Sequence, residues 1–72
     1  MFSKEKFGER VRQERLRAGE SQTELAELLG VGKTQVSGLE NGNTTTSMER
    51  LVLLCEHYKV SADYLLGLKN ER

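Results

Sequence analysis

Proline and tryptophan are absent from this 72-residue chain, and cysteine and histidine occur once each, at Cys55 and His57. One cysteine excludes an internal disulfide, and one cysteine with one histidine leaves no cluster at zinc-ligand spacing. No apolar run approaches the roughly 20 residues of a membrane span, and Met1-Phe2-Ser3-Lys4-Glu5-Lys6 lacks the apolar core of a signal peptide. These absences lead to the expectation of a reduced, cytoplasmic setting with no membrane partner, no metal and no other cofactor. Net charge is lacking as well. Eleven Lys/Arg and eleven Asp/Glu cancel, so bulk attraction to a polyanion is weak. A chain this short buries only roughly 60% of its unfolded surface. With neither disulfide nor metal to support so small a core, helix packing must hold it.

What the chain does have is helical periodicity, with no alternating strand pattern, repeat or low-complexity tract to interrupt it. Five short helices are expected. Ser3 is the N-cap of the first, which runs to about Ala18 with Phe7 and Val11 inward and Leu16 as a third candidate; Gly19 stops it. The second opens with Ser21-Gln22-Thr23-Glu24, a capping box, carries the stripe Leu25, Leu28 and Leu29, and ends at Gly30. The third spans about Lys33 to Glu40, with Val36 and Leu39 inward. Asn43-Thr44-Thr45-Thr46 is a polar loop. Ser47 caps a fourth helix whose Met48, Leu51, Leu54, Cys55 and Tyr58 follow amphipathic spacing. Ser61 caps a short fifth carrying Tyr64, Leu65 and Leu66. Residues 1–67 form one domain, and 68–72 a short C-terminal tail expected to fray.

Gly32-Lys33-Thr34 is the ending of a phosphate-binding loop, but that pattern requires a glycine five residues earlier, where Glu27 stands. The loop should also follow a buried strand in an α/β sheet, and here it follows an amphipathic helix. Other catalytic groupings are no better. His57 has no evident partner, Cys55 falls on a core stripe where cysteine serves as a small apolar residue, and the carboxylates are spread over charged helix faces. No enzyme is expected, and no small-molecule ligand is evident.

Two short helices joined by a glycine-containing turn of about four residues describe a helix-turn-helix. Its geometry needs apolar inner positions (Leu25, Leu29, Val31, Val36, Leu39), a small residue where the helices cross (Ala26), and a residue tolerant of a tight turn (Gly30). All of these positions comply. With them in place, the sequence resembles the phage-repressor type of helix-turn-helix regulators, the Cro/CI or XRE family. The stretches that carry the resemblance are G-E-R-V-R at 8–12, S-Q-T-E-L-A at 21–26, G-V at 30–31, V-S-G-L-E-N-G at 36–42 and V-S-A-D-Y-L-L-G at 60–67. Single motifs of this kind are weak, and their joint order over residues 7–67 is what is specific.

The resemblance implies an all-α, compact five-helix lambda-repressor-like domain whose second and third helices form the DNA-reading unit. It implies a double-stranded DNA operator as partner, bound by a homodimer, and a bacterial or phage regulator of transcription, most simply a repressor. With Val36, Leu39 and Glu40 inward, the base-facing residues are Lys33, Thr34, Ser37 and Gly38, beside Asn41. Lys33 suits the acceptor pair of guanine, and Thr34 suits thymine or a neighbouring edge. Gly38 costs about 1 kcal/mol of helix propensity relative to alanine; it either allows close backbone approach to the bases or is merely tolerated. Gln22, Gln35, Asn41, Asn43 and Thr44 match phosphate-contact positions, Arg15 and Glu40 a buried ion pair, and Tyr64, Leu66 and Leu68 a dimer face.

The chain departs from relatives in two places. Glu20 stands where an apolar residue often precedes the capping serine, and the loop 43–46 lacks the usual basic residues and proline. Few neutralised phosphates imply weak non-specific binding and a shallow salt slope. Even charge and an off-stripe Leu53 suit an alternative function, an antitoxin-like module whose main partner is a protein.

Overall fold

Ser3 begins the fold: its hydroxyl accepts the Lys6 N–H at 3.0 Å. The computed structural model describes residues 1–72 and places helices α1 (Lys4–Arg17), α2 (Gln22–Leu29), α3 (Lys33–Glu40), α4 (Met48–Tyr58) and α5 (Ala62–Leu65). The architecture is all-α with the five helices expected. Ser21, Ser47 and Ser61 repeat the cap for α2, α4 and α5, accepting the N–H groups of Glu24, Arg50 and Tyr64 at 3.1, 3.2 and 3.1 Å. Such caps are worth about 1 kcal/mol each, which matters in helices too short to stand alone. At α2 the box is complete, since Ser21 N–H also donates to Glu24 Oε1 at 2.8 Å.

The core joins Phe7 and Val11 of α1 to Leu25, Ala26 and Leu29 of α2, Val36 and Leu39 of α3, and Leu54 and Tyr58 of α4, with Val60, Tyr64 and Leu65 closing it. Leu28, Val31, Leu51, Cys55 and Leu66 pack against it half-buried. Burial pushes the Cys55 thiol pKa up, away from the reactive thiolate. Gly8 has a reason invisible in the helical pattern. A Cβ there would collide with the backbone carbonyl of Leu39 and lie 2.9 Å from that of Glu40, so α1 and the end of α3 touch backbone to backbone.

Two apolar expectations fail. Leu16 is exposed, because the inward positions at that end of α1 go to Glu14 and Arg15. Met48 is 81% exposed; it lies in the first turn of α4, beyond the core that Leu54 and Tyr58 reach, and forms one edge of a groove with Phe2, Leu51 and Leu66.

The tail is the third correction. Residues 69–72 are docked against α1 rather than frayed. Arg72 Nε and Nη2 donate to both carboxylate oxygens of Glu14, at 2.9 and 2.8 Å, and the Arg72 carbonyl accepts Ser61 N–H at 3.0 Å. Arg10 Nη1 donates to the carbonyls of Tyr64 and Lys69, and Nη2 to Asn70 Oδ1 at 3.1 Å. Buried Glu14 and Arg10 must have partners, and the tail supplies them. The same packing removes Tyr64 from the expected dimer face: it is buried, with the Arg10 guanidinium 4.3 Å from its ring centre. Leu66 is half-buried and Leu68 exposed.

Candidate nucleic-acid interface

α2 and α3 meet through a turn that needs Gly30 in the left-handed region, φ +71°, where a side chain is unfavourable. Val31 N–H then bonds back to the Ala26 carbonyl at 3.0 Å, closing α2. Arg50, to which the sequence assigned no role, donates Nε to the Leu29 carbonyl at 3.0 Å and ties α4 to this turn. The only local sign was a long cationic side chain in the first turn of a helix, where a carboxylate would be favoured.

α3 is held from behind by Val36 and Leu39, and at its end by charge. Arg15 Nε donates to Glu40 Oε2 at 2.7 Å and Arg15 Nη2 to Oε1 at 3.1 Å, with the Glu40 side chain 1% exposed. Gln22 Nε2 adds a third donor to Oε1 at 3.1 Å. The Glu40 hydrogen bond, ahead of opposing burial, raises the Arg15 pKa further, so the cation is permanent. Arg15 Nη1 also reaches the Glu20 carbonyl at 2.8 Å.

Glu20, the departure at an often apolar position, finds partners in α4. Tyr58 Oη donates to Oε1 at 2.7 Å, and His57 Nε2 lies 2.5 Å from Oε2. His57 therefore has a partner, contrary to expectation, because the loop before α2 packs against the end of α4. Burial works to raise the Glu20 pKa, but hydrogen bonds from Tyr58 and His57 outweigh it and the net shift is downward. Burial, then the Glu20 carboxylate, pushes the Tyr58 phenol far above its ordinary range.

The opposite side of α3 is open. Lys33, Thr34 and Gln35 are exposed, Ser37 and Gly38 half-exposed, and Asn41, Asn43 and Thr44 exposed. Only Asn41 spends a side-chain donor inside this group, weakly, on Ser37 Oγ at 3.5 Å. Gly32, the N-cap, offers no side chain to the first-turn N–H groups, and no carboxylate lies in that turn. Asn43 N–H bonds the Gly38 carbonyl at 2.9 Å and thereby draws the loop 43–46 along the helix. Gln22 is the exception among the named residues: half-buried, it turns one amide N–H inward to Glu40. Lys33 is the single cation between residues 21 and 42.

A helix-turn-helix family model matches residues 11–65. The HTH-type transcriptional regulator ImmR of Bacillus subtilis is 38% identical over 61 residues, 85% of this chain but 48% of ImmR, so the chain spans about half the length of that relative. The P22 c2 repressor, solved in complex with a synthetic operator, is 32% identical with a TM-score of 0.79, covering 88% of this chain and 96% of that one. SinR, described as the master regulator for biofilm formation and solved in complex with DNA, is 38% identical with a TM-score of 0.70, covering 83% and 97%. With its recognition unit bare on one side and locked on the other, the chain belongs to the helix-turn-helix family, of the phage-repressor (Cro/CI, XRE) type that its motifs resemble.

Proposed function

We propose that the chain is a sequence-specific DNA-binding regulator of transcription, acting as a repressor in the cytoplasm, whose α3 enters the major groove of an operator. The observation that carries this reading is the uncovered row Lys33, Thr34 and Ser37 on a helix pinned through Val36, Leu39 and Glu40. An α-helix with its side chains is about 10–12 Å across, which suits a major groove about 12 Å wide. Lys33, Thr34, Ser37 and Gly38 face base edges. Gln35, Asn41, Asn43 and the outward part of the Gln22 amide lie where backbone phosphates pass, and Thr44 lies at that margin.

Two copies bind a near-palindromic site. Half-sites one helical turn apart are about 34 Å centre to centre, and the chain's longest extent is 28 Å, so two copies fit side by side without overlap and any contact between them is confined to side chains at their facing edges. Exposed Leu68 and half-buried Leu66 are the apolar residues proposed for that contact.

The deciding experiment is selection of bound duplexes from a random pool, followed by titration of the enriched duplex with the parent chain and Lys33→Ala. Loss of about 1–3 kcal/mol and relaxed preference at one base pair are expected for a base-reading side chain. No enriched sequence and no binding at low salt would refute DNA recognition and turn attention to a protein partner, for which the Phe2–Met48–Leu51–Leu66 groove would be the first surface to test.

A further inference from the structure

Three glycines lie in or against the C-terminal half of α3, and only two are needed by the fold. Gly8 admits no Cβ because the Leu39 and Glu40 carbonyls occupy the space. Gly42 has φ +79°, and a Cβ there would lie 2.9 Å from Glu5 Cα. Gly38 is different. It sits inside the helix, and an added Cβ would meet only Thr44, with Oγ1 at 3.7 Å and Cγ2 at 3.9 Å, which is ordinary van der Waals contact. Alanine would fit and would favour the helix. No contact within the folded chain therefore requires a missing side chain at 38.

Thr44 stands beside that gap, and the Asn43 N–H to Gly38 carbonyl bond one residue earlier fixes its backbone. Thr34 lies one helical turn before Gly38, on the same side of α3. Two threonines, both exposed, thus flank bare helix backbone. The rest of this face, Lys33, Gln35, Ser37 and Asn41, is polar. Threonine is β-branched and holds few rotamers, so its methyl can be presented reproducibly.

We propose that Gly38 with Thr44, on the same side of α3 as Thr34, forms a notch, edged by the Thr44 methyl beside its hydroxyl, that reads the C5-methyl of a thymine in the major groove. Thr44 then touches a base edge, rather than the phosphate suggested by the family resemblance. The major-groove methyl distinguishes thymine from the other bases, and apolar contact is the way to read it. The notch depends on α3 entering the groove as proposed above.

The test uses the duplex enriched from a random pool and the same duplex with deoxyuridine replacing each thymine in turn. For the parent chain, one replacement should weaken binding about fourfold, the weight of one buried methyl-sized group. Thr44→Val, which keeps the methyl, should retain that discrimination, whereas Thr44→Ser should bind thymine and deoxyuridine duplexes alike. Gly38→Ala should unfold no earlier than the parent and yet lose affinity for the thymine duplex. If an enriched duplex exists but Thr44→Ser keeps the full thymine preference, or Gly38→Ala binds as tightly as the parent, the notch is wrong while DNA recognition stands. If no duplex is enriched, the reading of α3 fails and takes the notch with it.

Discussion

Replacing Arg15 by alanine leaves Glu40 as a carboxylate whose side chain is 1% exposed, with the Gln22 amide its only remaining donor. Removing one partner of a buried pair costs about 3–5 kcal/mol, because the other charge stays buried and uncompensated. A domain of this size has about 4–11 kcal/mol of total stability, so Arg15→Ala should consume a large share of it. The double variant Arg15→Met with Glu40→Leu tests the mechanism. It removes both charges and refills the volume, and such replacements are neutral or stabilising by about 1–4 kcal/mol. Urea unfolding followed by helical circular dichroism reads all three chains, with ΔG from linear extrapolation. The expected order is the double variant at or above the parent and Arg15→Ala far below. A cost under about 1 kcal/mol for Arg15→Ala is the value of an exposed pair, and would refute the assignment of this pair as the buried tether of α3.

Gly8→Ala should lower the melting temperature, since the new Cβ meets the Leu39 and Glu40 carbonyls; overpacking of this kind costs about 1–3 kcal/mol, against about 1 kcal/mol gained in helix propensity. A rise in melting temperature would mean that α1 and α3 are not in backbone contact. Acid should destabilise the fold partly through Glu20. Its folded pKa is lowered from 4.5, so its contribution is complete above that value and is lost as pH falls through the folded pKa. Glu20→Gln should flatten the stability–pH curve below about pH 4.5, and an unchanged curve would rule Glu20 out as a contributor. Deleting residues 69–72 removes the Arg72 donors that face Glu14 and two of the three acceptors that Arg10 uses, leaving only the Tyr64 carbonyl. Amide exchange of α1 and α5 should accelerate, and Glu14→Gln in the shortened chain should restore part of the protection; exchange matching that of the full chain would contradict the docked tail.

The elements were legible because four of the five helices open on a serine cap. Serine caps, the Ser21–Glu24 box and the glycine stops act within a few residues, so the starts of α1, α2, α4 and α5 and the ends of α2 and α3 could be placed by reading along the chain. The outward face of α3 was legible for the same reason, since helical spacing assigns Lys33, Thr34 and Ser37 to the side opposite Val36 and Leu39. Of the polar partnerships that join distant segments, only Arg15–Glu40 was anticipated, and that from the family resemblance rather than from local chemistry. Nothing near Glu14 announces Arg72, nothing near Glu20 announces Tyr58 and His57, and a charged residue in an amphipathic pattern reads as surface until its partner is known.

Local chemistry in the sequence thus determined where helices start and stop and which face of each is apolar, because capping and side-chain periodicity act over a turn or two of backbone. Tertiary structure alone decided that Arg10 and Glu14 are buried, why Gly8 and Gly42 are glycine, and that Tyr64 belongs to the core rather than to a partner. Those outcomes depend on contacts between segments up to 60 residues apart, whose energies exist only once packing has brought the groups together out of water.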